Sequence, residues 1–155
     1  MEPFDENTTV SSACFAMVPD TKVIFVCGFW DSSLRCFTLE GRQLQSVYGH
    51  TRVLTCLDVS PNGRVVVTGS RDATASVWYY SRNPFRLESS PRASLVGHES
   101  AVTCVAVKAG SDTVVSGSSD VCLVHKLGGD LVRVLSHRTC RRPHLLRFCG
   151  PDSRL

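Results

Sequence analysis

Short apolar stretches rich in Val, Thr and aromatic residues alternate along the chain with clusters of Gly, Pro, Asp and Ser. Each stretch has the length and composition of a β-strand, and each cluster that of a turn. Ser12 to Val18 leads into a Pro19-Asp20 turn, then Val23 to Cys27, a turn at Trp30-Asp31, Leu34 to Phe37, a turn at Glu40-Gly41, and Gln43 to Tyr48. The series resumes with Val53 to Val59, Pro61-Asn62-Gly63, Val65 to Gly69, a turn at Asp72, Thr74 to Tyr80, and Ala93 to Val96. It runs once more through Ala101 to Val107, Gly110-Ser111-Asp112, Thr113 to Ser116, a turn at Asp120, Cys122 to Lys126, Gly128-Gly129, and Leu131 to Leu135. No segment holds a 3.6-residue apolar period long enough to predict a helix.

The three series are copies of one unit. Gly49-His50 recurs as Gly97-His98, and at the same offset of 48 Thr55-Cys56 matches Thr103-Cys104, Val66 to Ser70 matches Val114 to Ser118, and Asp72 matches Asp120. An earlier copy lies 41 residues upstream, where Val26 to Asp31 matches Val67 to Asp72. Four strands per unit at a period in the forties is the arithmetic of a β-propeller blade. The expected class is therefore all-β: a partial propeller of about three four-stranded blades, near residues 12–48, 50–97 and 98–135. Residues 1–11 form an N-terminal extension, and residues 136–155 form a tail that reads as unstructured.

Blade two carries Gly49-His50 and then Ser70-Arg71-Asp72-Ala73-Thr74-Ala75-Ser76-Val77-Trp78. This resembles a WD40 repeat. The resemblance implies a structural hydrogen-bonded tetrad of His50, Ser70, Asp72 and Trp78. Blade three implies a partial tetrad of His98, Ser118 and Asp120, with His125 or Lys126 where Trp would stand. Blade one retains Asp31 in the blade turn, with Phe29 in the Ser place and Phe37 in the Trp place.

The Cys27-Gly28-Phe29-Trp30-Asp31 turn, the Val53-Leu54-Thr55-Cys56-Leu57 and Val102-Thr103-Cys104-Val105-Ala106-Val107 strands, and the long insertion from Tyr79 to Arg92 narrow the likeness. Together they are similar to the C-terminal propeller of BEACH-domain, neurobeachin-like proteins. That resemblance implies a non-enzymatic scaffold module of a larger protein in membrane and vesicle trafficking, including autophagy. Its partners would be proteins bound through the blade rims. Its location would be cytoplasmic, with peripheral association to endomembranes through the parent chain. Arg52, Arg71 and Glu99 flank the blade loops and are the candidate partner-binding residues.

Charge and composition change this picture little. The chain has 17 Lys plus Arg against 14 Asp plus Glu, but residues 136–155 hold five Arg and one Asp. The body is thus close to neutral, and no basic face points to nucleic acid. The longest apolar runs are too short to span a membrane, and the acidic start Met1-Glu2-Pro3-Phe4-Asp5-Glu6 does not read as a secretory signal. The eight Cys lack any Cys-x-x-Cys pair, and most sit in apolar strands as reduced, small buried hydrophobes.

His137, Cys140, His144 and Cys149 in the tail are four candidate zinc ligands, although their spacing matches no common finger. No Gly-rich phosphate loop is present. His98, near Glu99 and Cys104, could form a Cys–His pair, but its place in the repeat assigns it to the loop. No cofactor is expected and no catalytic residue is assigned. Ser90-Pro91 in the insertion is a candidate phosphorylation site. Two alternatives stand beside the scaffold reading: a truncated product without function of its own, and a basic or zinc-binding tail on a propeller stub. Open blade edges also allow self-association.

Overall fold

The computed structural model describes residues 10–136 apart from 63, 109 and 120, and the side chains of residues 14–135 within that range. It contains thirteen strands among the described residues: β1 (Val10–Met17), β2 (Val23–Phe29), β3 (Ser33–Thr38), β4 (Gln43–Tyr48), β5 (Leu54–Val59), β6 (Val65–Ser70), β7 (Ala75–Arg82), β8 (Phe85–Leu87), β9 (Ala93–Leu95), β10 (Cys104–Val107), β11 (Thr113–Gly117), β12 (Val121–Lys126) and β13 (Leu131–Ser136). They form three antiparallel sheets, β1-β2-β3-β4, β5-β6-β7-β8 with β9 also on β7, and β10-β11-β12-β13.

The middle sheet has five strands where four are expected. β7 runs on to Arg82 and turns back through Asn83-Pro84, so that Tyr80 pairs with Leu87 and Arg82 with Phe85. The start of β7 pairs instead with β9. The insertion folds because it has apolar surface to bury. Leu87 is buried and Phe85 packs on Phe25 and Tyr80, with ring centroids 6.0 and 5.8 Å away.

Alternation along the strands decides which blade each side chain meets. On β6, Val66 joins the core between the first and second sheets, with Phe25, Cys27, Leu34, Leu54, Trp78 and Tyr80. Val65 and Val67 join the core between the second and third, with Cys56, Val77, Leu95, Val102 and Val105. β6 is buried along its whole length because it is covered on both faces. The same parity places Thr68 and Ser70 on the side of the first sheet and Gly69 on the side of the third. A Cβ on Gly69 would stand 2.6 Å from both Cys56 Sγ and Val102 Cγ1, so only glycine fits there.

Polar bonds supplement the packing between blades. Cys14 Sγ donates to the Thr55 carbonyl at 3.3 Å, and Gln45 makes two bonds with the backbone of Leu87. Between the second and third sheets, Val102 N donates to Ser70 O at 2.9 Å, the Thr55 hydroxyl donates to Val102 O, and Val107 N donates to the Asp58 carboxylate at 2.8 Å. Cys14, Cys27, Cys36 and Cys56 are free thiols. Burial pushes the thiols of Cys36 and Cys56 up to about 11 and about 12.

Candidate interaction rim

Three kinds of loop meet at one end of the sheets. These are the β4–β5 loop with Gly49-His50-Thr51-Arg52, its counterpart Gly97-His98-Glu99-Ser100 before β10, and the turns that follow β2 and β6. A buried network fastens them in blade two. His50 Nδ1 lies 2.9 Å from Asp72 Oδ2, and His50 Nε2 lies 2.9 Å from Thr68 Oγ1. The Trp78 indole N–H donates to the same Thr68 hydroxyl at 2.9 Å. One proton arrangement satisfies every atom. The indole donates to Thr68, the Thr68 hydroxyl donates to His50 Nε2, and His50 Nδ1–H donates to Asp72. The imidazole is then neutral.

Asp72 also gathers the turn around itself. It accepts the Thr51 amide at 3.0 Å, the Thr74 amide at 2.9 Å and the Thr74 hydroxyl at 2.6 Å. Burial works to raise its carboxyl, but the Thr74 hydroxyl, the His50 ring and these amides outweigh it and hold the group below the usual carboxylate range. Burial also lowers the His50 ring below its ordinary value, against the opposing pull of Asp72. Gly49 is required by the indole, since a Cβ there would sit 2.6 Å from Trp78 Cη2.

The structure corrects one expected member of the tetrad in each of two blades. Ser70 does not bridge the ring and the indole. Its hydroxyl lies against the carbonyls of Arg52 (2.9 Å) and Val53 (3.1 Å) and accepts the Asp72 amide at 3.1 Å. Thr68, one rung earlier on the same face, takes the bridging place because the imidazole reaches down to that rung. In blade three His98 Nε2 lies 2.8 Å from Ser116 Oγ, whereas the Ser118 hydroxyl lies against the carbonyls of Ser100 and Ala101. Asp120 lies outside the described residues. His125, and not Lys126, occupies the indole position. It pairs with Val114 as Trp78 pairs with Val66, is fully buried, and bonds through Nε2 to the Val96 carbonyl at 3.0 Å.

Blade one builds its turn differently. Asp31 Oδ1 accepts the amide and the hydroxyl of Ser33 at 3.0 and 2.6 Å, as Asp72 does from Thr74. Oδ2 takes the Arg35 guanidinium at 2.7 Å. Arg35 also donates to the Ser33 hydroxyl and lies 4.0 Å over the Phe29 ring. Phe29, in the expected Ser place, thus serves as the stacking surface for a cation. Burial opposes ionisation of Asp31, but Ser33 and Arg35 together depress its carboxyl.

Above the network the rim is exposed. Arg52, Arg71 and Glu99 all point to solvent, and Trp30, which occupies the same turn position as Arg71, is 55% exposed. Trp30 was missed as a contact candidate; its place immediately before Asp31 was the available signal. Among the described residues no group of His, Cys, Asp or Glu is arranged to hold a metal ion. The tail candidates His137, Cys140, His144 and Cys149 lie outside the described residues. Among the described residues, no helix is long and apolar enough to cross a membrane.

Residues 1–146 match the neurobeachin β-propeller domain. The chain belongs to that family. A putative neurobeachin homologue of Caenorhabditis elegans is 40% identical over 85 residues, covering 52% of this chain and 3% of that protein. The BEACH domain-containing protein lvsE of Dictyostelium discoideum is 35% identical over 75 residues, covering 47% of this chain and 3% of that protein. The chain therefore spans a few per cent of the length of these relatives. Among solved structures, the RRP9 WD40 repeats superpose with a TM-score of 0.77 at 20% identity, over 93% of this chain and 43% of that one. This likeness establishes the WD40 propeller fold.

Proposed function

We propose that this neurobeachin-type propeller segment is a non-enzymatic protein-interaction module of a BEACH-type scaffold acting in membrane and vesicle trafficking, autophagy included, in the cytoplasm and at the surface of endomembranes. The observation that carries the reading is the rim. Trp30, Arg52, Arg71 and Glu99 are exposed on loops whose bases are held by Asp31, by His50, Thr68 and Asp72, and by His98 on Ser116. A rigid rim presenting an aromatic ring and guanidinium groups has the residue types that concentrate binding energy at protein interfaces. Loops already ordered before binding lose little entropy on docking.

The test uses the full-length protein that contains this propeller, produced in cells. Trp30→Ala and the double substitution Arg52→Ala/Arg71→Ala are compared with the parent by quantitative cross-linking mass spectrometry and by membrane fractionation. The expected result is loss of a defined subset of partners, with less protein in the membrane fraction. An unchanged partner set and distribution in both variants would overturn the reading.

A second reading rests on the outer sheets. Phe15 is 73% and Met17 54% exposed on β1, and Val132 and Val134 are 56% and 52% exposed on β13. Such faces suit another sheet, and a second copy of this chain could supply one. Light scattering on the purified 155-residue chain tests this: a monodisperse dimer supports it, and a monomer excludes it.

A further inference from the structure

The connection between β8 and β9 carries a chemistry that the rim does not use. Glu88-Ser89-Ser90-Pro91-Arg92 spans it, and with Arg86 these residues line a cleft of about 480 Å³ against Gln45. Both ends of the segment are tied down. Leu87 N donates to Gln45 Oε1 at 3.1 Å, Glu88 N to Tyr79 O at 3.0 Å, and Arg92 N to Val77 O at 2.7 Å. Pro91 is half-buried, and its Cδ lies 2.9 Å from the place a Gly49 Cβ would occupy.

Between these anchors Ser89 and Ser90 are exposed and belong to no strand. The residue before a proline is held extended, and the proline offers no backbone donor after it. Ser90 is thus presented as an accessible Ser-Pro dipeptide in an exposed bend between the two anchors. Arg86 and Arg92 are exposed in the same cleft. Among the described residues neither forms an ion pair. Glu88 is the opposing carboxylate there, so two guanidinium groups face one carboxylate.

We propose that Ser90 is a phosphorylation site for a proline-directed Ser/Thr protein kinase, and that Arg86 and Arg92 pair with the phosphate. Ser90 Oγ attacks the γ-phosphorus of ATP. The Oγ–P bond forms, the bond to ADP breaks, and the hydroxyl proton leaves to the kinase base. The dianion brings three acceptor oxygens into a cleft whose cations are suited to bidentate pairing. This inference is independent of the rim reading.

The experiment incubates the full 155-residue chain with a proline-directed kinase and ATP, beside a peptide of residues 84–96 as a control on the kinase, and maps the product by tandem mass spectrometry. One phosphate is expected on Ser90, lost in Ser90→Ala and retained in Ser89→Ala. A ³¹P titration of the product should place the second phosphate ionisation below that of the phosphopeptide, whose value is about 6. Arg86→Ala/Arg92→Ala should return it to the peptide value. Failure to modify the chain or the peptide, modification of the peptide alone, or phosphate on Ser89 would overturn the site. A titration identical to that of the peptide would overturn the arginine pairing.

Discussion

The indole N–H of Trp78 donates to the hydroxyl of Thr68 across the β6–β7 pair, 2.9 Å away and out of contact with water. That hydroxyl also serves His50 Nε2. Replacing it leaves two buried polar groups without partners, each costing about 1–3 kcal/mol. Thr68→Val keeps the shape of the side chain and should lower stability by about 2–4 kcal/mol. Thr68→Ser should lose less than about 1 kcal/mol, because the hydroxyl remains. Ser70→Ala removes a clamp on loop carbonyls and should fall between the two. Denaturant unfolding of the three variants checks the order; a Ser70→Ala loss larger than that of Thr68→Val would return the bridging role to Ser70.

The glycine at 69 is a packing requirement. A methyl group there meets Cys56 Sγ and the stiff β-branched Val102 at 2.6 Å. Gly69→Ala should therefore destabilise by about 1–3 kcal/mol through overpacking between the second and third sheets. Gly128, where an added Cβ meets nothing within 4 Å, is the matched control, and Gly128→Ala should be near neutral. Equal melting temperatures for the two variants would mean that the blades separate more easily than their packing indicates.

The blade repeat was legible because Gly-His, the hydroxyl-bearing strand and the Asp turn recur at one offset. The choice of hydroxyl was not. Thr68 and Ser116 match each other at 48 residues, and so do Ser70 and Ser118. Both pairs lie on one face of their strands, so neither repetition nor parity distinguishes them. Only the reach of the imidazole decides. His125 was ambiguous with Lys126 because the third copy is a residue short after its turn, and the β11–β12 register resolves it. Arg35 escaped notice because it lies outside the repeated positions and reaches its aspartate from β3, where blade two uses a neutral imidazole from the loop before β5. β8 was hidden because Asn83-Pro84 reads as loop, while Phe85 and Leu87 have an apolar surface waiting on Tyr80 and Phe25.

Both well-formed Asp turns force the next residue into the left-handed region. Ser32 has φ 61° and Ala73 has φ 67°. For an L residue this conformation costs about 1–2 kcal/mol, and the bonds to Asp31 and Asp72 hold it in place. Ala73→Gly relieves that cost while freeing the unfolded chain, and should leave stability unchanged or raise it by up to about 1 kcal/mol. Ala73→Val places a β-branched side chain there and should lower it by about 1–2 kcal/mol. Thermal melts followed by circular dichroism distinguish the two, and a more stable Val variant would contradict the turn geometry.

Stability should form a plateau in pH, with a different group at each edge. Burial lowers the His50 ring, so below about pH 6.5 the unfolded chain binds a proton that the folded chain resists. Stability is therefore full above that value and declines as pH falls through it. Asp72 and Asp31 are held below the ordinary carboxylate range. Their contribution is full above about pH 4 and is lost as pH drops further toward their folded values. At the alkaline edge the buried thiols of Cys36 and Cys56, raised to about 11 and about 12, favour the protonated form in the folded state. Stability then declines as pH rises through the ordinary thiol value near 8.5–9. Urea unfolding across pH 4.5 to 10 should trace this shape. His50→Gln should shrink the decline between about pH 6.5 and 5 and leave the alkaline edge in place, because the amide has no proton to gain while the thiols are untouched. An acid edge unchanged in the glutamine variant would assign that titration to another group and show that the imidazole of His50 is not the proton-sensitive point of the rim.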